Sequence, residues 1–172
     1  MDPRDRCWLQ GHPDRANHVQ PAAGLVPDFI RDTNTLPRPA APQYLETVHD
    51  GDYSYNACRV PWRLAIDYLV SGEPRAQAVL RKTNAWVRGV AGDNPARILD
   101  GYDLRGHPIS AGHAMSFTAL FAVAAMIDAA NQHWLDALWA EIVQTPREDE
   151  EYYGNTLKLL AMIVLSGNWW PP

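Results

Sequence analysis

Cysteine is scarce in this chain. Cys7 and Cys58 are the only two in 172 residues, too few for a disulfide framework and not placed for a zinc array. Cys58 falls just before a helix and reads as a small buried residue. Long apolar runs are missing as well. The longest, Phe117 to Ile127, is short and diluted with alanine, so no membrane span is expected. Positive charge is not in excess: 15 Lys and Arg stand against 20 Asp and Glu, which leaves a net charge of −5 and no basic footprint for nucleic acid. The N-terminus, MDPRDRCWLQ, has charges but no apolar core, so a secretion signal is not expected in this chain. The histidines do not cluster at metal spacing, with His107 and His113 in a glycine-rich loop and His12 and His18 in an irregular start. No metal site or cofactor is therefore expected. Neither a nucleophile elbow nor a phosphate-binding glycine loop occurs.

What is present is enough apolar material, 47% of residues, to bury one core in one domain. Residues 1–42 are rich in Pro, Arg, Asp and Asn and show no sustained period. Within them, residues 1–22 read as an irregular, disordered or misread start, and 23–172 as the domain proper. From Val60 onward one helix follows another. The first spans Val60 to Val70 and stops at Ser71-Gly72. The second starts near Pro74 and ends at Gly89 or Gly92. After a long glycine-containing connection, a third, nearly all apolar, runs from Met115 to Ala130. A fourth covers Gln132 to Gln144 and a fifth Glu150 to Leu165, with Gly167 as terminator. No strand alternation is visible. The fold class expected is all-α, built from antiparallel helix pairs. Trp86, Trp134 and Trp139 recur on helix faces and are expected in the core, while Trp169 and Trp170 are expected to lock the terminus.

The chemistry concentrates at Tyr53 to Arg63, YSYNACRVPWR. Pro61 fits a first helical turn, where its missing N–H costs nothing. The polar residues ahead of it therefore sit at a helix entrance, and aromatics beside carboxylates, amides and guanidinium groups suit a carbohydrate cleft. Tyr53 and Tyr55 read either as sugar-stacking residues or as plain packing. Tyr102, in the long connection, is a weaker subsite candidate. Arg59 and Arg63 share a helix face; Arg59 is placed either to orient a carboxylate or to make an ordinary helix-start salt bridge.

This motif, continued to Asp67-Tyr68-Leu69, resembles the family 8 glycoside hydrolases, which include bacterial endoglucanases, lichenases, xylanases and chitosanases. The resemblance extends over Gly24-Leu25-Val26-Pro27-Asp28-Phe29, Tyr44-Leu45-Glu46, Asp50-Gly51-Asp52-Tyr53, Asp100-Gly101-Tyr102, Asn131-Gln132-His133-Trp134 and the closing Ser166-Gly167-Asn168-Trp169-Trp170-Pro171. It implies an (α/α)6 barrel, of which five helices make about half. It also implies inverting hydrolysis of a β-1,4-linked polysaccharide by two carboxyl groups roughly 6.5–9.5 Å apart. The family's general acid lies in a part that nothing here resembles, so this chain is expected to be inactive or very weak by itself.

In one branch of the family an aspartate base sits where this chain has Asn56. An amide offers no basic carboxylate. In a second branch, which also has asparagine there, the base is a glutamate of the preceding loop, and Glu46 is the best match, with Asp50 and Asp52 as rivals. Asn56 would then position water or a sugar hydroxyl, and Asp52, Tyr53, Tyr55 and Tyr102 would contact substrate. The expected partners are a polysaccharide and either a separate N-terminal half or a second copy. Export to the periplasm or the medium is implied by resemblance only. A catalytically inactive fragment and a carbohydrate- or partner-binding module are the alternatives. The third helix bears on them: in half a barrel it is expected to expose apolar residues such as Phe117, Leu120 and Phe121, uncorrected by polar ones.

Overall fold

The computed structural model describes residues 22–169. The irregular start, with Cys7, His12 and His18, lies almost wholly outside the described residues, as do Trp170 and the last two prolines. Five α-helices follow in order among the described residues: α1 (Val60–Ser71), α2 (Pro74–Ala91), α3 (Met115–Ala125), α4 (Gln132–Gln144) and α5 (Tyr152–Leu165). The fold is all-α, half of a helical barrel in element count. One small exception went unannounced by any period. Strand β1 (Ile30–Arg31) pairs antiparallel with β2 (Arg38–Pro39), and two residues are too few to show alternation.

Helix boundaries follow local chemistry. Gly72 and Gly92 take left-handed φ values of 71° and 61° and end α1 and α2. The third helix stops at Ala125, five residues before its expected end. There the Asn131 side chain donates to the Ala125 carbonyl at 3.4 Å, and the Asp128 carboxylate accepts from Ala130 N at 3.1 Å. Side chains have taken over the backbone groups that a continuing helix would need. The fifth helix begins at Tyr152 rather than Glu150, since Glu150 and Glu151 have extended backbones, with ψ values of 144° and 171°, and the Glu150 carboxylate reaches the N-terminus of α3.

The core is centred on α3, which packs against α1, α2, α4 and α5. All eleven of its residues are buried. The expectation that this helix would expose an apolar face is therefore corrected: its neighbours within the chain suffice to cover it. Asn84 of α2 ties in from the side, donating to Ala124 O at 2.9 Å. Trp134, Leu138 and Ile142 form the inward face of α4. Trp86 packs partly buried against the core, and Trp169 does so near the C-terminus. Trp139, expected inside, is 37% exposed on the outer side of α4. Apolar side chains left open include Tyr152 (87%) and Leu159 (60%) on α5 and Val143 on α4, alongside Leu45 (66%) and Val48 in the loop before α1, Val70 at the end of α1 and Val90 on α2.

Candidate active site

The helix entrance ahead of α1 is built by a carboxylate distant in sequence. Asp28 Oδ1 accepts from the main-chain N–H groups of Ser54 (3.0 Å), Asn56 (3.2 Å) and Ala57 (2.7 Å). This is N-capping by a remote residue, and it holds the turn Tyr53–Arg59 in place. Burial raises the Asp28 pKa despite those three donors, and the nearby charge of Glu46 adds to the rise. The turn then presents Asn56 and Arg59. Arg59 donates from Nη2 to Asn56 Oδ1 at 2.8 Å and from Nε to the Asn56 carbonyl at 3.1 Å. Asn56 Nδ2 in turn donates to Glu46 Oε2 at 2.9 Å.

The loop that carries Glu46 is shaped by Asp50. Its carboxylate accepts from the N–H groups of Leu45 (2.5 Å), Glu46 (3.0 Å) and Thr47 (2.7 Å) and is buried beneath them. Burial alone would raise its pKa. The donors outweigh burial and hold it below the ordinary range. Asp50 is thus a turn-building residue and not a rival for the base. Asp52 pairs with His49 Nδ1 at 3.0 Å and does not line the cavity described next.

A cavity of about 500 Å³ opens here. Glu46, Tyr55, Asn56 and Arg59 line it together with His113, Ala114 and Ser116 at the start of α3 and Asp149, Glu150, Glu151, Tyr153 and Gly154 around the start of α5. Tyr55 is 44% exposed and fastened at three points. Its hydroxyl donates to Asp100 Oδ2 at 2.7 Å, its carbonyl accepts from Tyr153 OH at 2.5 Å, and its ring meets Phe117 edge-on at 5.3 Å. Burial and the Asp100 bond push its phenol well above the ordinary value. Glu150 Oε1 accepts from Met115 N at 2.9 Å and caps α3. His113 presents Nδ1 to the Ile98 carbonyl at 2.6 Å, with Nε2 3.8 Å from Glu141. Cys58 is buried beside Tyr153, and burial pushes its thiol up to about 11, which suits an inert core residue.

Four of the expected site residues therefore share one cavity: Glu46, Tyr55, Asn56 and Arg59. Arg59 orients an amide rather than touching a carboxylate directly. Tyr53 and Tyr102 do not belong. They pair through reciprocal main-chain bonds of 2.9 and 3.0 Å, and each is only 1% exposed. Tyr53 packs on Phe117 and Phe121, and the Tyr102 hydroxyl accepts from Leu99 N at 2.6 Å. Both are core residues with no surface for a sugar. Sequence reasoning also missed Asp28, Asp100, His113, Glu150 and Tyr153. Asp28 and Asp100 stood inside quoted motifs, but partners 26 to 45 positions away leave no local signal. Among the described residues, no three His, Cys, Asp or Glu side chains converge to hold a metal ion.

An all-α half-barrel with an acidic, aromatic cleft defines the class, and comparison with known proteins gives the family. The family model for glycosyl hydrolases family 8 matches residues 16–167, and the chain belongs to that family. It is 41% identical over 149 residues to a beta-glucanase of Niallia circulans, covering 87% of this chain but 36% of that protein. It is 31% identical over 176 residues to an endoglucanase of Bacillus sp. (strain KSM-330), covering 37% of that protein. A beta-1,3-1,4-glucanase from Paenibacillus sp. X4 superimposes with a TM-score of 0.87 at 39% identity, over 91% of this chain and 41% of that one. A family 8 xylobiose complex from Teredinibacter turnerae gives a TM-score of 0.70 at 19% identity, which bears on the fold alone. The chain thus spans about 28–37% of the length of the curated relatives it matches.

Proposed function

We propose that this chain is the C-terminal part of a catalytic domain that cleaves a β-1,4-linked glycan, cellulose, mixed-linkage glucan or chitosan, with inversion. Glu46 is the general base in this reading. It takes the proton from a water that attacks the anomeric carbon, while Asn56 positions that water or a sugar hydroxyl. Tyr55 and Tyr153 give the sugar an aromatic wall. The observation that carries the reading is the Arg59–Asn56–Glu46 chain of hydrogen bonds on the wall of a 500 Å³ cavity. Inversion needs a second carboxyl group to protonate the leaving oxygen. We assign that proton donor to a part of the barrel outside these 172 residues, so the chain alone is inactive or very weak. Action outside the cytoplasm follows from the polymeric substrate.

The apolar stripe on α5 supports an incomplete barrel over an adapted binding module. Tyr152, Leu159 and Ile163 lie open on it, with Thr156 the polar residue between them. An N-terminal half of the same domain is the occupant we assign to it, and a second copy is the competing one. The test is a reducing-sugar assay on carboxymethylcellulose, lichenan, xylan and chitosan. It is run with the chain alone and with the chain fused to the N-terminal portion of the Niallia circulans beta-glucanase. Activity in the fusion, lost in Glu46→Gln, is the expected result. Equal turnover by Glu46→Gln sinks the base assignment, and release by the chain alone sinks the missing-donor reading.

A further inference from the structure

A carboxamide has two ends of opposite hydrogen-bonding sense, and a neighbouring carboxylate gains only from the donor end. At Asn56 the choice is made by Arg59. A guanidinium has donors and no acceptor, so the atom it meets must be an oxygen. It grips Asn56 twice, at the side-chain Oδ1 (2.8 Å) and at the main-chain carbonyl (3.1 Å). With Oδ1 committed, Nδ2 faces the other way and reaches Glu46 Oε2 at 2.9 Å. Asp28 holds the same residue from behind by accepting from Asn56 N at 3.2 Å. Only one orientation of the amide satisfies both Arg59 and Glu46.

We infer that Arg59 is a positioning residue that acts on Glu46 through Asn56, setting the polarity of the carboxamide so that a donor and not an acceptor faces the carboxylate. The inference rests on the reading of Glu46 as a functional group and gives Arg59 its part in it. It also explains why a carboxylate at position 46 goes with an amide at position 56. Asn56→Asp would turn an acceptor-only oxygen toward Glu46, and two carboxylates at that separation must share a proton. Lysine cannot replace Arg59, because a single ammonium lacks the rigid fork that meets two oxygens at once.

The test reads the Asn56 side-chain amide by nuclear magnetic resonance in the isotopically labelled full chain, without substrate. The wild type is expected to show one Asn56 Nδ2 proton shifted downfield by the Glu46 carboxylate and protected from exchange with water, and the other ordinary. Glu46→Leu, which has no acceptor, and Arg59→Lys should each remove that shift and protection while the main-chain spectrum stays native. In Arg59→Ala, guanidinium ion at a non-denaturing concentration should restore both. If Arg59→Ala does not fold, Arg59→Lys carries the readout. Unchanged Asn56 signals in Arg59→Lys overturn the inference, and so does a shift that survives in Glu46→Leu. A chain that shows the coupled amide but never hydrolyses a glycan leaves this inference standing and removes the proposed function instead.

Discussion

Helices α3 and α5 are written in much the same apolar alphabet, MSFTALFAVAA against YYGNTLKLLAMIVL, yet they meet water very differently. Every residue of α3 is buried, whereas α5 buries Gly154, Leu157, Ala161 and Val164 and leaves Tyr152 and Leu159 open. The difference is one of neighbours. α3 lies among four other helices, while α5 has the core on one side only. Composition alone does not decide which helix is closed in by its neighbours and which keeps an open face. The open face matters because α5 also supplies one wall of the cleft, through Tyr153 and Gly154.

The largest effect is expected where burial is complete. Phe121→Ala in α3 removes a ring that stacks on Tyr53 at 6.0 Å and meets Trp86 at 6.1 Å. A loss of about 3–5 kcal/mol follows for such a truncation, read as a lower urea midpoint at constant slope. A loss below about 1 kcal/mol would show that α3 is not the closed core described here. Next comes the joint between the two helices. A Cβ at Gly154 would overlap Glu150 Oε2, on the carboxylate that caps α3 at Met115 N. Gly154→Ala should cost about 0.5–2 kcal/mol, the usual worth of a cap, and Glu150→Gln should cost less because it still offers an oxygen. Equal melting of wild type and Gly154→Ala would show that the cap is idle.

A third region sharpens the contrast, since the Glu46 loop is held by carboxylates and not by packing. Asp50 has a folded pKa below its ordinary 3.8, so its contribution is whole above that value and is lost as pH falls through the folded pKa. Asp28 has the opposite sign: its pKa is raised, so its contribution declines as pH climbs above 3.8. Asp50→Asn should therefore lower stability at neutral pH and flatten the loss on acidification. Chemical denaturation at a series of pH values measures this. An unaltered acid slope in Asp50→Asn would mean that the loop is not what titrates.

The helices and the family were legible because both signals are local. Periodicity needs only a few turns, and YSYNACRVPWR reads as one motif. The grouping of Glu46, Asn56 and Arg59 was also within reach, for they span 14 consecutive positions. What was not legible depends on distant pairings. Tyr53 reads as a sugar platform until its main chain bonds to Tyr102 and pulls both rings into the core. Asp28 is one acidic residue among many until the loop returns Ser54, Asn56 and Ala57 to it. The exposed face was placed on α3 for the same reason, since a fully apolar helix does not state how many neighbours it has.

The smallest effect on stability tests the open face itself. Leu159→Ser, alone or with Tyr152→Ser, removes apolar atoms that are already wet, so stability should change by no more than about 0.5 kcal/mol. The same change should reduce whatever association the stripe supports, either with a second copy or with an N-terminal half, because burial of apolar area drives such contacts. Sedimentation of the chain alone and activity in the fusion with the beta-glucanase portion separate the two occupants. Loss of self-association with fusion activity intact assigns the stripe to copies of this chain. Loss of fusion activity in a chain that is monomeric throughout assigns it to the rest of the barrel. A serine variant that changes neither would leave α5 an ordinary surface helix, and its difference from α3 would then say nothing about a missing partner.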